Sequence, residues 1–480
     1  MRRPHRILTL AACPTLFGIA LGALACDKDT NQGDSSAGGE VRTPDDEVPP
    51  PPPPPPGETF EEMMKRLSAE KPEVMAEQMA LLEARYDLAD MPSETLMTRG
   101  KPVQAGVRVR LPEDVASWEE LATLSPEEVK ARDLFPAGFM PLPHVKHEEG
   151  GMVFPRTTID EILAQTGRDL ERFDVEFDLP EHLLAEFPPA IFLTTRPELG
   201  DVSQGELVTT HNFFRLFNGI LNPKQVDGLR LLVFPFAQQQ FNLIDDRRST
   251  EPQLGVSCFD CHINGHTNGA VHLVGDIRPQ EHRNRIDTVS LRGVRIQQLF
   301  GSQRALQSVE DFTEFEQRAA YFDADIDKAA LKGINPLDRA SQVHHMAETQ
   351  KLLDFPPAPK LDVFGFLNDS ASDAERRGEE LFNGKARCSE CHPAPDFTDN
   401  SMRDLQLERF FEPRVANNHV LDGDGPIKTF TLRGIKESPP YFHDERLLTL
   451  EDTIEFFNLV LELQLTADEK ADLLAYLLVL

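Results

Sequence analysis

A cysteine pair followed directly by histidine occurs twice in this chain, as Cys258-Phe-Asp-Cys261-His262 and as Cys388-Ser-Glu-Cys391-His392. This is the spacing of covalent c-type haem attachment, with two thiols for two thioether bonds and an adjacent imidazole for the proximal face of the iron. A Cys₄ zinc ribbon separates its pairs by about 15–20 residues, whereas 126 residues lie between Cys261 and Cys388. Neither zinc nor a redox-active Cys-x-x-Cys pair accounts for the histidine after each motif. The residues therefore predict two covalent haems, with His262 and His392 as proximal ligands.

The other cysteines agree. The chain has six, and the two outside the motifs, Cys13 and Cys26, fall in what reads as an export signal. Arg2, Arg3 and Arg6 make a basic start, an apolar stretch runs from about Ile7 to Ala25, and small residues precede Cys26. This resembles a bacterial lipoprotein cleavage box. It predicts a signal peptide over residues 1–25 and a lipid anchor at Cys26 that ties the protein to a membrane. Plain secretion and an uncleaved anchor are the alternatives, and Thr9, Pro14, Thr15 and two glycines weaken the second. All three place the body outside the cytoplasm, with a periplasmic location expected. Residues 26–57 then read as a disordered, proline-rich tether. Its run from Pro49 to Pro56 makes a polyproline II spacer of roughly 25 Å.

The net charge of −31 argues against nucleic acid, which selects basic surfaces. It suits a cationic redox partner steered in by the field. Residues 58–205 read as a globular N-terminal extension whose role is not legible. Helical periodicity shows in Glu61–Tyr86 and Thr158–Phe173, and His144 and His147 sit in a proline-rich loop that could approach a haem.

The C-terminal part contains an internal repeat. Thr288-Val-Ser-Leu-Arg-Gly-Val returns as Thr429-Phe-Thr-Leu-Arg-Gly-Ile, and Ser308-Val-Glu-Asp311 returns as Thr449-Leu-Glu-Asp452, both at an offset of 141. The cysteine motifs are offset by 130, so the second unit has a longer loop. Asp373–Asn383 reads as a helix, Thr449 and Thr466 as N-caps, and Leu473, Leu474, Leu477, Leu478 and Leu480 as one side of a terminal helix. The expected fold is mainly α, with two tandem cytochrome c-like haem domains over residues 206–345 and 346–480.

Such tandem units resemble the bacterial di-haem cytochrome c peroxidases and their MauG-like relatives, which oxidise protein side chains. The resemblance runs from about Phe234 to Leu480. It is carried by Phe241-Asn-Leu-Ile-Asp-Asp-Arg-Arg-Ser, His266-Thr-Asn-Gly, Gly378-x-x-Leu381-Phe382, Lys428-Thr-Phe-Thr-Leu-Arg433-Gly and Pro440-Tyr-Phe-His443-Asp. It implies that the first haem reacts with peroxide while the second accepts electrons and passes them inward. It also implies calcium between the domains, held partly by backbone carbonyls near Ser438 and Pro440.

Two positions depart from the family. The distal ligand of the second haem, methionine in the peroxidases and tyrosine in MauG-like enzymes, falls on Phe457, which has no lone pair for iron. Met402 or Met346 could replace it, or the position could stay empty; a thioether would keep the potential high. The family's inter-haem tryptophan falls at or near Phe300, and the chain's one tryptophan, Trp118, lies far upstream.

For the first haem, His272 and His282 are the candidate distal histidines, with His266 too close to the attachment site. Peroxide cleavage needs an acid–base group over the open face. The resemblance places it among Glu314, Glu316 and Asp323, and Glu316 is the choice. Arg292 and Arg433, of the repeated Leu-Arg-Gly, are candidates for haem-propionate pairing. The function expected is peroxide reduction with electrons from a small cytochrome or cupredoxin. A MauG-like oxidase and a plain electron-transfer cytochrome are the alternatives.

Overall fold

Short polar residues open the helices where the spacing predicts. Thr59, Asn222, Ser372 and Thr466 each accept the N–H of the residue three positions on, whose Glu or Gln side chain returns the bond. This reciprocal arrangement satisfies two donors that the first helical turn leaves without partners. The computed structural model describes residues 59–146, 151–170, 178–235, 237–240, 248–254, 256–273, 285–301, 303–316, 339–413, 415–416, 419–420 and 425–480. The export signal, the whole of the tether, His147, His282 and Asp323 lie outside the described residues.

The described part is mainly α. Helices α1 (Phe60–Arg85), α2 (Arg156–Thr166), α3 (Pro223–Val233), α4 (Cys258–Cys261), α5 (Val309–Phe315), α6 (Arg339–Gln350), α7 (Asp373–Asn383), α8 (Leu450–Val460) and α9 (Ala467–Leu477) position the sites. Strands β1 (Gly151–Val153), β2 (Phe192–Leu193), β3 (Val271–Leu273), β4 (Ile286–Asp287), β5 (Leu353–Asp354), β6 (Met402–Arg403) and β7 (Ile427–Lys428) are short ties between loops. Helix α2 is shorter than its apolar pattern suggests: Gly167 takes a left-handed φ of 73° and ends it after Thr166.

From Pro56 onward the chain is one compact unit, because the N-terminal segment supplies core to both motif-bearing regions. Leu82, Tyr86, Phe135 and Phe139 share a cluster with Phe382, Phe410, Phe456 and Tyr476. Phe135 stacks on Phe410 and Phe411 at centroid distances of 5.3 and 5.5 Å. Further along, Leu216 and Leu229 pack with Phe259, Leu291 and Met346, and Phe154 and Ile162 pack with Cys261 and Ile263. The extension is therefore a shared scaffold.

The repeat is structural as well as sequential. In the first copy β3 pairs antiparallel with β4, Val271 facing Asp287; in the second β6 pairs with β7, Met402 facing Lys428. Gly293 and Gly434 then turn the chain with the same φ of 69° and ψ of 19°. The bridges Phe300–Leu306 and Tyr441–Leu447 follow. Ser308 and Thr449 cap α5 and α8 by accepting the N–H of Asp311 and Asp452. From Asp287 and Lys428 onward, each pair is 141 residues apart.

Both glycine turns close on one dipeptide. A Cβ on Gly293 would stand 2.0 Å from the Phe355 ring, and one on Gly434 would stand 3.2 Å from Pro356. The division expected between residues 345 and 346 would cut α6 in its middle. That helix is continuous to Gln350, and Met346 packs beside Phe259 and Leu291 of the first copy.

Candidate haem sites and the seam between them

The first motif forms the single turn α4, opened by Ser257, whose N–H donates to Asp260 at 2.6 Å. Phe259 enters the core beside Leu229 and Leu291. Asp260, 1% exposed, takes a two-pronged ion pair from Arg168 at 2.7 and 2.7 Å, so the N-terminal segment clamps the attachment loop. His262 directs Nδ1 to the Val289 carbonyl at 2.8 Å. A carbonyl only accepts, so Nδ1 carries the proton and Nε2 keeps its lone pair. Burial pulls this imidazole down to about 4, which keeps it in the neutral form that ligates metal.

The second motif repeats the arrangement. His392 Nδ1 lies 3.0 Å from the Phe397 carbonyl, and burial lowers its pKa, partly opposed by hydrogen bonds to the Phe397 and Phe430 carbonyls. Phe430 is the repeat partner of Val289. Burial pushes the Cys258 and Cys388 thiols up to about 12, keeping them un-ionised. Each motif thus offers two thiols and an imidazole with its Nε2 turned away from the backbone, a donor set that fits covalent haem. The two differ in access. Both motif histidines are half-exposed, but Phe259, Asp260 and Cys261 are buried, whereas Ser389 and Cys391 are half-exposed and Glu390, Pro393, Pro395 and Asp396 are exposed.

Glu316 caps the C-terminus of α5, and its charge acts on the Cys258 thiol. It stands eight residues beyond Ser308, and Phe457 stands eight beyond Thr449, so the repeat places the two at one equivalent position. Phe457 joins an aromatic cluster with Phe456 and Phe442, at 5.3 and 6.4 Å. Glu314 is half-buried on the same helix. Met402 is half-buried on β6, where ladder register makes it the counterpart of Val271 and not of His272. His272 is half-buried on β3, and His144 is buried in the N-terminal segment.

Arg292, a candidate for propionate pairing, already has partners within the protein. Its guanidinium is buried against the Glu437 carboxylate at 3.0 Å and the Ala190 carbonyl at 2.7 Å. Glu437 also accepts the Thr98 N–H at 2.9 Å, and its carbonyl faces His266 Nε2 at 2.7 Å. Arg292 therefore ties the two copies and the N-terminal segment together. Arg433 is half-buried, donates to the Leu480 carbonyl at 3.1 Å and lies 5.7 Å from the Phe355 ring. Phe300 stands at the seam with Lys428 Nζ 5.5 Å from its ring centre, while Trp118 packs on Phe139.

Beside this lies a buried acidic group. Arg285 holds Asp178 at 2.8 Å and Glu445 at 3.2 Å, all with fully buried side chains. Asp287 approaches Glu445 closely; burial raises Asp287 to about 7 and Glu445 well above its ordinary range, as expected when two carboxyls share a proton. The folded chain then keeps a proton that the unfolded chain releases above the ordinary value of 3.8. This contribution to stability is full below that value and is lost as pH rises towards about 7. Asp287→Asn should flatten that decline, measured as unfolding free energy across the interval. An unchanged slope in the variant would refute the shared proton. None of Arg168, Arg285 or Glu445 stood out in the sequence. The signal available was the repeat itself, which aligns Asp287 with Lys428 and Arg304 with Glu445.

No family model matches the chain. A stretch of 121 residues is 32% identical to the methylamine utilization protein MauG of Methylorubrum extorquens, covering 23% of this chain and 33% of that protein. A stretch of 147 residues is 27% identical to the cytochrome-c peroxidase IdrP1 of a Pseudomonas species, covering 22% and 39%. Over these stretches the chain is similar to MauG and to a cytochrome-c peroxidase. The matched stretches span about a third of the length of these relatives. Among solved structures, the di-haem peroxidase BthA of Burkholderia thailandensis aligns over 53% of this chain and 85% of its own, at 16% identity and a TM-score of 0.36.

Proposed function

We propose that the chain is a periplasmic di-haem c peroxidase with two tandem cytochrome c-like units. It reduces peroxide at the first motif with electrons received at the second, in the balance H₂O₂ + 2 e⁻ + 2 H⁺ → 2 H₂O. The carrying observation is the contrast at one repeated position, Glu316 in the first unit against Phe457 in the second. An acid–base group and an inert ring at equivalent places divide the labour.

Haem, when bound, supplies the redox centre at each motif. His262 and His392, fixed through Nδ1, present Nε2 as the proximal donor. Glu316 moves a proton between the two peroxide oxygens, a step that general acid–base groups accelerate by about 10²–10⁴. The Arg168–Asp260 clamp fixes the attachment loop of the first site. Electrons enter at the second, whose loop is exposed. Beside that loop lie Val363, Phe364 and Phe366 at 86%, 66% and 52% exposure, with Gly365 packed against Pro395. An apolar patch on an acidic protein suits a small cationic cytochrome or cupredoxin.

A MauG-like oxidase acting on a protein or small molecule is the second reading. Phe457 favours it, because two centres lacking a distal methionine can both be reactive; Met402 as a ligand would favour the peroxidase. Calcium at the seam is proposed only through the carbonyls of Ser438 and Pro440, since neighbouring Glu437 is engaged by His266 and Arg292. The lipid at Cys26 belongs to the same proposal, and mass spectrometry of the N-terminal peptide tests it. The deciding measurement is a pyridine haemochrome assay followed by peroxide turnover with a panel of donors. Two c-type haems per chain and peroxide-dependent donor oxidation are expected. Zinc or a single haem would end the haem reading, and two haems without turnover would end the peroxidase reading.

A further inference from the structure

Buried cations in this acidic chain find acids. Arg168 has Asp260, Arg285 has Asp178 and Glu445, Arg292 has Glu437, Arg446 has Asp444, and Lys470 has Glu119 and Glu455. Arg108, 1% exposed, turns instead to Gln104 Oε1 at 2.7 Å, and Lys428 departs furthest from the pattern. It is 3% exposed, and among the described residues its ammonium meets no carboxylate and no carbonyl. Its neighbours are the rings of Phe300 and Phe430, 5.5 and 5.2 Å away, and the like-charged Arg304. Arg304 in turn has a buried Nε without a hydrogen-bond partner.

The repeat shows what is unusual here. Position 287 of the first unit corresponds to 428 of the second, and 304 corresponds to 445. The electrostatics run crosswise: Asp287 of the first unit interacts with Glu445 of the second, and the charge of Arg304 of the first acts on Lys428 of the second, where neighbouring Gln303 donates to the Pro426 carbonyl at 3.0 Å. The seam is thus approximately two-fold, with two acids facing on one side and two bases on the other. The acids can share a proton, and Arg285 stands beside them. The bases have no such remedy among the described residues. Aromatic faces attract a desolvated ammonium, but they supply no charge to offset two cations in a medium of low polarity.

We propose that Lys428 and Arg304 form a carboxylate-binding site on the seam, completed by an anion that none of the described residues supplies. Two sources have this chemistry: a propionate of the haem carried by the second motif, or a small free carboxylate. The inference rests on the haem reading, since Lys428 lies two residues from Phe430, whose carbonyl faces His392. Removing the cation would leave a carboxylate uncompensated beside a redox centre and so favour its oxidised form.

The test is a redox titration of the holoprotein, followed optically, for the parent, Lys428→Met, Lys428→Arg and Arg304→Gln, with haem content measured first. Lys428→Met should shift the reduction equilibrium of one haem by about tenfold towards the oxidised state, 59 mV for one electron. Arg304→Gln should shift it less in the same direction, and Lys428→Arg should leave it near the parent. A parent potential that moves when acetate replaces chloride at constant ionic strength identifies a free carboxylate; one that stays fixed identifies the propionate. If Lys428→Met does not fold, Arg304→Gln decides. Normal haem content with unchanged potentials in every folded variant overturns the site. Absence of haem from the parent would instead overturn the reading on which it rests.

Discussion

Glu316→Gln should lower kcat/KM for peroxide by about 10²–10⁴ while leaving haem content unchanged. The amide keeps the size and the polar surface of the carboxylate but cannot take a proton from one peroxide oxygen and return it to the other. Because Glu316 terminates α5 and interrupts no core cluster, stability should hardly move. Glu314→Gln, on the same helix, serves as the control and should retain activity. If Glu316→Gln turns over peroxide within threefold of the parent, the acid–base group lies elsewhere and the Glu316–Phe457 contrast loses its meaning.

Arg285→Leu should cost about 3–5 kcal/mol of folding free energy, because it leaves Asp178 and Glu445 buried without their cation. Against a typical total of about 5–15 kcal/mol, that is enough to lower the denaturation midpoint severely or to prevent accumulation of folded protein. Adding Asp178→Asn should recover part of the loss, since one of the stranded charges is then gone. A single-variant loss below about 1 kcal/mol would mean that solvent reaches the group and that the seam is looser than its burial implies.

Much of this was legible in the sequence, and what was hidden has a common cause. Helix Asp373–Asn383 and the caps Thr449 and Thr466 are local features, written within four residues of where they act. The repeat was legible because two copies of one packing solution preserve the same turn glycines. The role of the N-terminal segment was not legible, because its contacts are distant in the chain. Asp452 Oδ1, for instance, accepts the N–H groups of Arg108 and Val109 at 2.6 and 3.1 Å. The protein partners of Arg292 were hidden for the same reason: a lone arginine in Leu-Arg-Gly does not reveal that Glu437 approaches from the other copy. The two motif histidines needed no such knowledge, since the Cys-x-x-Cys-His spacing alone fixes their neighbours.

The crosswise seam bears on how such a chain stays intact. Two identical first units, placed in the same geometry, would set Asp287 of each against Arg304 of the other. Two identical second units would set Lys428 against Glu445. Both self-pairings match opposite charges, whereas the pairing present opposes like ones. At these four positions each half is electrostatically better suited to a twin than to its actual neighbour. The connection through Phe355 and Pro356, gripped by Gly293 and Gly434, therefore does more than join sequences: it excludes the homodimeric arrangement by keeping each half's unlike neighbour at high effective concentration.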